Sequence, residues 1–293
     1  MASHSRPVTP GTLLRLAAFT TDPAGGNPAG VWIGRELPPA DEMQRIAAEV
    51  GYSETAFLAP DGSGAPGRFR VRYFSPLAEV PFCGHATIAS GIALAGRGET
   101  GRLMLATNDG NVALSVSANP EDPDGLATAT LTSVEPWVRV APRALVGSAL
   151  GLLGWRSGDL DPGLPPALAF AGATHLILAV ADRSTLARLD YPFEAMQSLM
   201  LEHDLTTLQL VWRAGPARFD ARNPFPVGGV VEDPATGAAA AALGAYLRER
   251  GEITAPASFE IVQGVEMGRP SRITVTIAPG EAGVRVSGTA VPI

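Results

Sequence analysis

The sequence contains no lysine at all, so its 22 basic residues are all arginine. This absence excludes a lysine Schiff base, and with it the usual attachment of pyridoxal phosphate, as well as a P-loop. Cys83 is the only cysteine, which rules out a disulfide within the chain and fits a reducing compartment. There is also no zinc-ligand spacing, no HExxH motif and no GxSxG elbow. We therefore expect an activity that needs no metal and no organic cofactor.

Excess positive charge and long apolar runs are missing too. The net charge of −7 argues against nucleic acid or an anionic membrane as a partner. The first residues lack the apolar segment of a secretory signal, and the uncharged stretch 162–181 is interrupted by Pro and Gly. This stretch predicts a loop followed by a buried strand. We expect a cytoplasmic protein whose 293 residues allow two domains.

A glycine-rich segment at residues 62–67 matches GxGxxG by letter. It contains Pro66 and leads into a strand pattern, whereas a dinucleotide fingerprint opens a helix. The segment is therefore interpreted as a turn.

The hydrophobic pattern predicts an α+β protein made of two similar halves, residues 12–132 and 142–283, joined by a linker at 133–141. Each half combines strands of mixed spacing with one central helix. The last strand, at about 284–293, is a candidate addition to the first half.

A short pattern occurs once in each half and supports this division. When Ala86-Thr87 is aligned with Ala235-Thr236, both copies continue through small residues to a leucine at the same offset. Each copy predicts a tight loop followed by a helix, and a helix N-terminus attracts anions. Two such helices would clamp a small carboxylate in a cleft between the halves, flanked by His85 and Asp233.

Four residues, at the two repeats and at a predicted helix end, are candidates for catalysis or binding. Glu54 lies where a helix is predicted to end and a strand to begin, a position that suits proton transfer as well as an ordinary surface turn. His85 and Asp233 could be plain helix-terminal residues, but their shared place in a repeat favours a ligand site. Cys83 could be a base at a helix N-terminus or a small buried side chain.

Six segments together carry a family resemblance. In order along the chain they resemble the motifs of the phenazine-biosynthesis PhzF-like isomerases, and the match runs from about Leu13 to the end of the chain. That family is similar in fold to diaminopimelate epimerase, with two alike domains, each a barrel-like mixed sheet around a central helix, and the active site between them. The segments are Gly26-Asn27-Pro28-Ala29-Gly30-Val31, residues 43–49, Ser53-Glu54-Thr55-Ala56-Phe57, Cys83-Gly84-His85-Ala86-Thr87, residues 232–237 and residues 264–271.

The resemblance implies a cofactor-independent isomerase that moves a proton on a small carboxylate. The family's catalytic glutamate, histidine and aspartate fall on Glu54, His85 and Asp233. Glu54 would take a proton from one carbon and return it at another, while His85 and Asp233 position the substrate or assist protonation. The substrate-binding positions that the resemblance implies are Asn27, Cys83, Gly84, Ala86, Thr236, Gly237 and Ala238.

Two departures from the family leave alternatives open. The phenazine-pathway members have Ser where this chain has Ala238, so one hydroxyl contact to substrate is missing. Cys83 stands where the related epimerases have a thiol, but their second thiol is replaced by Glu232-Asp233. An amino- or imino-acid epimerase using Cys83 and Asp233 is one alternative, and a catalytically silent carboxylate-binding protein is the other. The expected partners are the carboxylate substrate and a second copy of the chain.

Overall fold

The computed structural model describes residues 10–118 and 125–293. It forms two compact units. The first unit holds the described residues of Met1–Ala18, Pro28–Leu131 and Thr289–Ile293, and the second holds Phe19–Asn27 and Thr132–Gly288.

The secondary structure mixes many short strands with a few helices. The helices are α1 (Ala40–Val50), α2 (Gly84–Ala95), α3 (Arg143–Leu153), α4 (Arg183–Ala187), α5 (Phe193–Glu202) and α6 (Gly237–Glu249). The strands are β1 (Gly11–Ala18), β2 (Asn27–Gly34), β3 (Glu54–Pro60), β4 (Arg68–Phe74), β5 (Glu79–Val80), β6 (Gly101–Ala106), β7 (Asn111–Ala118), β8 (Ala127–Thr132), β9 (Trp137–Val140), β10 (Ala167–Phe170), β11 (Thr174–Val180), β12 (Thr207–Gly215), β13 (Arg218–Arg222), β14 (Pro224–Phe225), β15 (Val230–Glu232), β16 (Ala257–Gln263), β17 (Ser271–Ile277), β18 (Arg285–Gly288) and β19 (Ala290–Pro292).

In the first unit a mixed sheet surrounds helix α2. Strands β2 and β3 are parallel, β3 and β4 antiparallel, β4 and β6 parallel, and β6, β7 and β8 form an antiparallel meander, while β19 pairs with β1. Helix α2 contacts β1, β3, β7 and β19, and it is rich in small and apolar residues that are buried on nearly every side. A helix that is apolar all round belongs in a core, which makes α2 the centre of this unit.

In the second unit α6 has the same place. The sheet runs β9–β10–β11–β12–β13–β16–β17–β18, with parallel pairs at β11–β12 and β13–β16 and antiparallel pairs elsewhere. Helix α6 contacts β9 to β12 as well as β17 and β18. Helices α3 and α5 pack on each other and share a second apolar cluster with β11 and β12.

The structure aligns the two central helices differently from the alignment that the sequence pattern predicts. Helices α2 and α6 begin at Gly84 and Gly237, and each has a glycine seven residues further on, Gly91 and Gly244. A Cβ at Gly91 would lie 2.9 Å from Ala129, and one at Gly244 would lie 2.8 Å from a Val275 methyl, so both glycines allow the sheet to approach closely.

Aligning Ala86-Thr87 with Ala235-Thr236 is therefore wrong by one helical turn. Thr87 lies inside the first turn of α2, whereas Thr236 is the N-cap of α6. Both segments are runs of small residues, and such runs match equally well in several registers. The structural counterpart of Cys83, the N-cap of α2, is Thr236 and not Glu232.

Two other predictions need correction. The predicted linker at 133–141 contains β9, which pairs with β10 and so belongs to the second unit. The stretch 162–181 contains two strands, β10 and β11, where a loop and one strand are predicted. Both missed strands have four residues, too few to show an alternating pattern. No helix of the described residues is long and apolar enough to span a bilayer.

Candidate active site

Glu54 is placed by the junction between α1 and β3. The apolar face of α1 packs on β3 and β4 through Met43 and Ala47, and the helix ends at Gly51, whose positive φ of 73° suits glycine. After two residues β3 begins with Glu54. Because β3 is buried from Thr55 to Ala59, the Glu54 side chain lies at the margin of the core and is 18% exposed. The predicted position of Glu54 at a helix-to-strand edge is thus confirmed.

Cys83 and His85 lie beside this carboxylate. The Cys83 Sγ is 3.5 Å from Glu54 Oε2 and 3.3 Å from His85 Nδ1, and His85 Nε2 is 3.4 Å from the same Oε2. Cys83 and His85 are buried, and Ser53 Oγ lies 3.5 Å from His85 Nε2. We call Glu54, Cys83 and His85 the Glu54 cluster. It lies entirely within the first unit.

Buried hydroxyls fix the start of α2 below the cluster. Thr87 Oγ1 donates a hydrogen bond of 2.6 Å to the Cys83 carbonyl, and Tyr73 Oη lies 2.7 Å from the same Thr87 oxygen. Burial raises the pKa of Tyr73, so the phenol stays neutral and can donate to Thr87. Sequence reasoning did not single out Tyr73 or a role for Thr87, because a hydroxyl pair between a strand and a helix leaves no local pattern.

The cluster is also a set of potential metal ligands. A thiol, an imidazole and a carboxylate each offer one ligand atom, and these atoms lie within 4.8 Å of one another. The sequence shows no such cluster, because Glu54 is 29 residues from Cys83. Only the fold brings the three together.

Asp233 is held by hydrogen bonds to both of its carboxylate oxygens. Asn27 Nδ2 donates to Oδ1 at 2.7 Å, and Thr236 Oγ1 donates to Oδ2 at 2.6 Å. Asn27 is buried and also donates to the Ala235 carbonyl at 3.2 Å. Residues 233–236 form what we call the Asp233 loop. With Asn27 it lies in the second unit.

Gln263 is a further residue of this group that the sequence did not reveal. Its buried amide donates to the Asp233 carbonyl at 2.6 Å and to Thr236 Oγ1 at 3.0 Å, and it accepts from the Thr236 N–H at 3.3 Å. Gln263 directly precedes the motif at 264–271, which is the only signal that could have identified it. Gly264 (φ 77°) has no room for a side chain, since a Cβ would lie 2.4 Å from the Arg269 carbonyl.

Glu232 has a structural role. It is buried and forms an ion pair with Arg222, whose Nε donates to Oε2 at 3.1 Å. Arg222 also donates to the Leu186 and Ala187 carbonyls. A carboxylate committed to a buried pair of this kind stabilises the loop before α6 and does not serve as a base.

At the N-cap position of each central helix, the side chain makes no hydrogen bond to the backbone N–H groups of the helix. The Cys83 thiol contacts Glu54 and His85, and the Thr236 hydroxyl donates to Asp233. Neither side chain therefore takes up a backbone N–H group of the first turn. The predicted binding positions in these turns are Gly84 and the fully buried Ala86 in α2, and the half-buried Gly237 and Ala238 in α6.

Comparisons with known proteins agree with this architecture. Residues 16–293 match the family model of phenazine biosynthesis-like proteins, PhzC-PhzF. A trans-2,3-dihydro-3-hydroxyanthranilate isomerase of Pseudomonas fluorescens is 33% identical over 87% of this chain and 86% of its own. A protein of Deinococcus radiodurans, named as an uncharacterized isomerase, is 35% identical over 89% of this chain and 85% of its own.

Solved structures give the same result. A phenazine biosynthesis protein of the PhzF family from Bacillus anthracis superposes with a TM-score of 0.82 at 26% identity, covering 96% of both chains. A hydroxyproline epimerase from Agrobacterium vitis has a TM-score of 0.65 at 15% identity, over 97% of this chain and 90% of its own, a likeness of fold alone. The predicted fold class, two domains of the diaminopimelate epimerase type, is confirmed. The chain belongs to the PhzC-PhzF family of phenazine biosynthesis-like proteins and is an isomerase of that family.

Proposed function

We propose that this isomerase acts without a cofactor on a small carboxylate metabolite and that Glu54 carries the proton. The observation that supports this is the Glu54 cluster. A partly exposed carboxylate lies 3.4 Å from an imidazole nitrogen, at the start of a largely buried strand. A general base needs access to substrate on one side and a fixed position on the other, and Glu54 combines the two.

The proposed step is a proton shift within one molecule. The Glu54 carboxylate removes a proton from a carbon, the electrons of that C–H bond move into a new double bond, and the existing double bond shifts. The protonated Glu54 then delivers the same proton to the far carbon, which restores the carboxylate. His85 is within reach of Glu54 and can hold the substrate or stabilise the charge that develops on it.

The Asp233 loop supplies the second part of the proposal. With both oxygens accepting hydrogen bonds from Asn27 and Thr236, the Asp233 carboxylate is fixed in orientation. We propose that it orients a substrate, and that N–H groups at Gly84 and at Gly237 each bind a carboxylate at the N-terminus of their own helix. Ala238 then leaves out the hydroxyl contact that a serine would give.

One observation favours a second candidate, an epimerase that uses Cys83 and Asp233. The Cys83 Sγ lies 3.3 Å from His85 Nδ1, a partner that can take the thiol proton. In that reaction the configuration at one carbon is inverted and no double bond moves.

Turnover in deuterium oxide separates these candidates. Trans-2,3-dihydro-3-hydroxyanthranilate, the substrate in the names of several relatives, is the first compound to test, followed by other small unsaturated carboxylates and by proline derivatives. The proposal expects a shifted double bond, with the proton carried within the molecule or exchanged with deuterium. Inversion of one centre without a shift selects the epimerase. Binding of these compounds without any C–H change would contradict the proposed proton transfer on them.

A further inference from the structure

The ligand atoms of the Glu54 cluster lie within 4.8 Å of one another, close enough together to bind a single metal ion. The His85 Nε2 and Glu54 Oε2 atoms are 3.4 Å apart, Cys83 Sγ and Oε2 are 3.5 Å apart, and Sγ and Nε2 are 3.8 Å apart.

A tetrahedral Zn²⁺ site has a similar triangle of ligands. Bonds of about 2.3 Å to sulfur and about 2.0–2.2 Å to nitrogen or oxygen place neighbouring ligand atoms roughly 3.3–3.6 Å apart. The three distances in the cluster are within a few tenths of an ångström of these edges. The Cys83 sulfur also lies 3.3 Å from His85 Nδ1, so binding of an ion through Nε2 requires the imidazole ring to turn toward the ion.

The chemistry of the ligand set points to the same ion. Thiolate and imidazole bind zinc in preference to magnesium or calcium, and a carboxylate completes a set of three ligands. Three protein ligands leave a fourth position for water or for another small ligand. The partly exposed Glu54 gives an ion a route from solvent, while the buried Cys83 and His85 limit competition from water.

The surroundings hold the ligands in place. Cys83 is the N-cap of α2, where the helix dipole favours an anionic ligand. Its backbone carbonyl is held by Thr87 at 2.6 Å. We infer that the Glu54 cluster binds one Zn²⁺ per chain and that the bound ion inhibits the isomerase. The inhibition rests on the proposed function, because a coordinated Glu54 can no longer accept a proton.

The single cysteine makes the binding test specific. Because Cys83 is the only thiol in the chain, a thiolate-to-cobalt charge-transfer band on titration with Co²⁺ must report this site. Protein free of metal and of any histidine tag is titrated with Co²⁺, and Zn²⁺ is then added to displace it. We expect a near-ultraviolet band that saturates at one Co²⁺ per chain and disappears with Zn²⁺.

Variants locate the site. Cys83→Ser should abolish the band. Glu54→Gln and His85→Gln should each weaken Co²⁺ binding by at least roughly 10- to 100-fold, the loss in affinity that follows when even an outer-shell partner of a metal ligand is removed. His203→Gln, which changes an exposed histidine elsewhere, should bind as the parent does. Absence of the band from the parent chain, or a band that remains in Cys83→Ser, would overturn the inference.

Activity is measured separately. The metal-free protein should be active, lose its activity with one equivalent of Zn²⁺ and recover it with a chelator. Full activity of the zinc-loaded protein would contradict the inhibition. A metal-free protein without activity would instead contradict the proposed function, while the cobalt band still decides whether the metal site exists.

Discussion

At the scale of single residues, His175 is a buried side chain with only one of its two ring nitrogens in a hydrogen bond among the described residues. Its ring is fully buried in β11, with Nδ1 2.8 Å from Thr207 Oγ1. That hydroxyl donates to Asn223 Oδ1, so it accepts from Nδ1–H, and Nε2 has no partner among the described residues. Burial lowers the pKa of His175 to about 3, and the folded protein holds this histidine neutral.

This histidine predicts a loss of stability in mild acid. Below about pH 6.5 the unfolded chain binds a proton at His175 and the folded chain does not. The contribution of neutral His175 to the free energy of unfolding is therefore complete well above that pH and falls as the pH drops toward 3. Between pH 6.5 and pH 5 the parent should lose about 1.5 kcal/mol of unfolding free energy more than His175→Asn does. Urea unfolding at both pH values measures it. His203→Gln is the control and should keep the parent's pH dependence, and equal slopes for the parent and His175→Asn would refute the assignment.

At the scale of elements, the two central helices depend on close approach to their sheets. Gly91 and Gly244 occupy the same place in α2 and α6, and a methyl group at either would lie under 3.0 Å from neighbouring side chains. The exposed Gly147 in α3 offers a control, because a Cβ there would meet nothing within 4 Å.

We therefore predict opposite effects for the same substitution. Gly91→Ala and Gly244→Ala should each lower the unfolding free energy by about 1–2 kcal/mol, since overpacking outweighs the better helix propensity of alanine. Gly147→Ala should raise it by up to about 1 kcal/mol. Denaturant unfolding of the three variants gives the comparison. If all three gain stability alike, the sheets do not approach these helices as closely as described.

At the scale of the whole molecule, cofactor independence is open to a direct test. Catalysis through Glu54 needs no metal, and a metal at the cluster is inferred to inhibit. Dialysis against a chelator should therefore leave the activity equal to or higher than before, as a rate assay before and after dialysis shows. Activity that is lost on dialysis and restored by a divalent metal would mean that the ion takes part in catalysis.

The sequence predicted the molecule best where local patterns carry the information. Glu54 at a helix-to-strand edge, the two central helices and the α+β class follow from periodicity and from glycine stops. The register of the repeat was wrong because runs of alanine match in several ways. Gln263 and the meeting of Glu54 with Cys83 were missed because they depend on contacts between distant segments, which no local pattern records.

The most direct test of the central proposal compares the proton-transfer rates of Glu54→Gln, Cys83→Ser and Glu49→Gln. Glu54→Gln keeps the shape of the side chain but cannot accept a proton, so turnover should fall by roughly 10²–10⁴-fold while substrate still binds. Cys83→Ser should cost much less. Glu49→Gln, an exposed position on α1, should match the parent. Near-normal turnover by Glu54→Gln together with inactive Cys83→Ser would contradict the account and make the thiol the base.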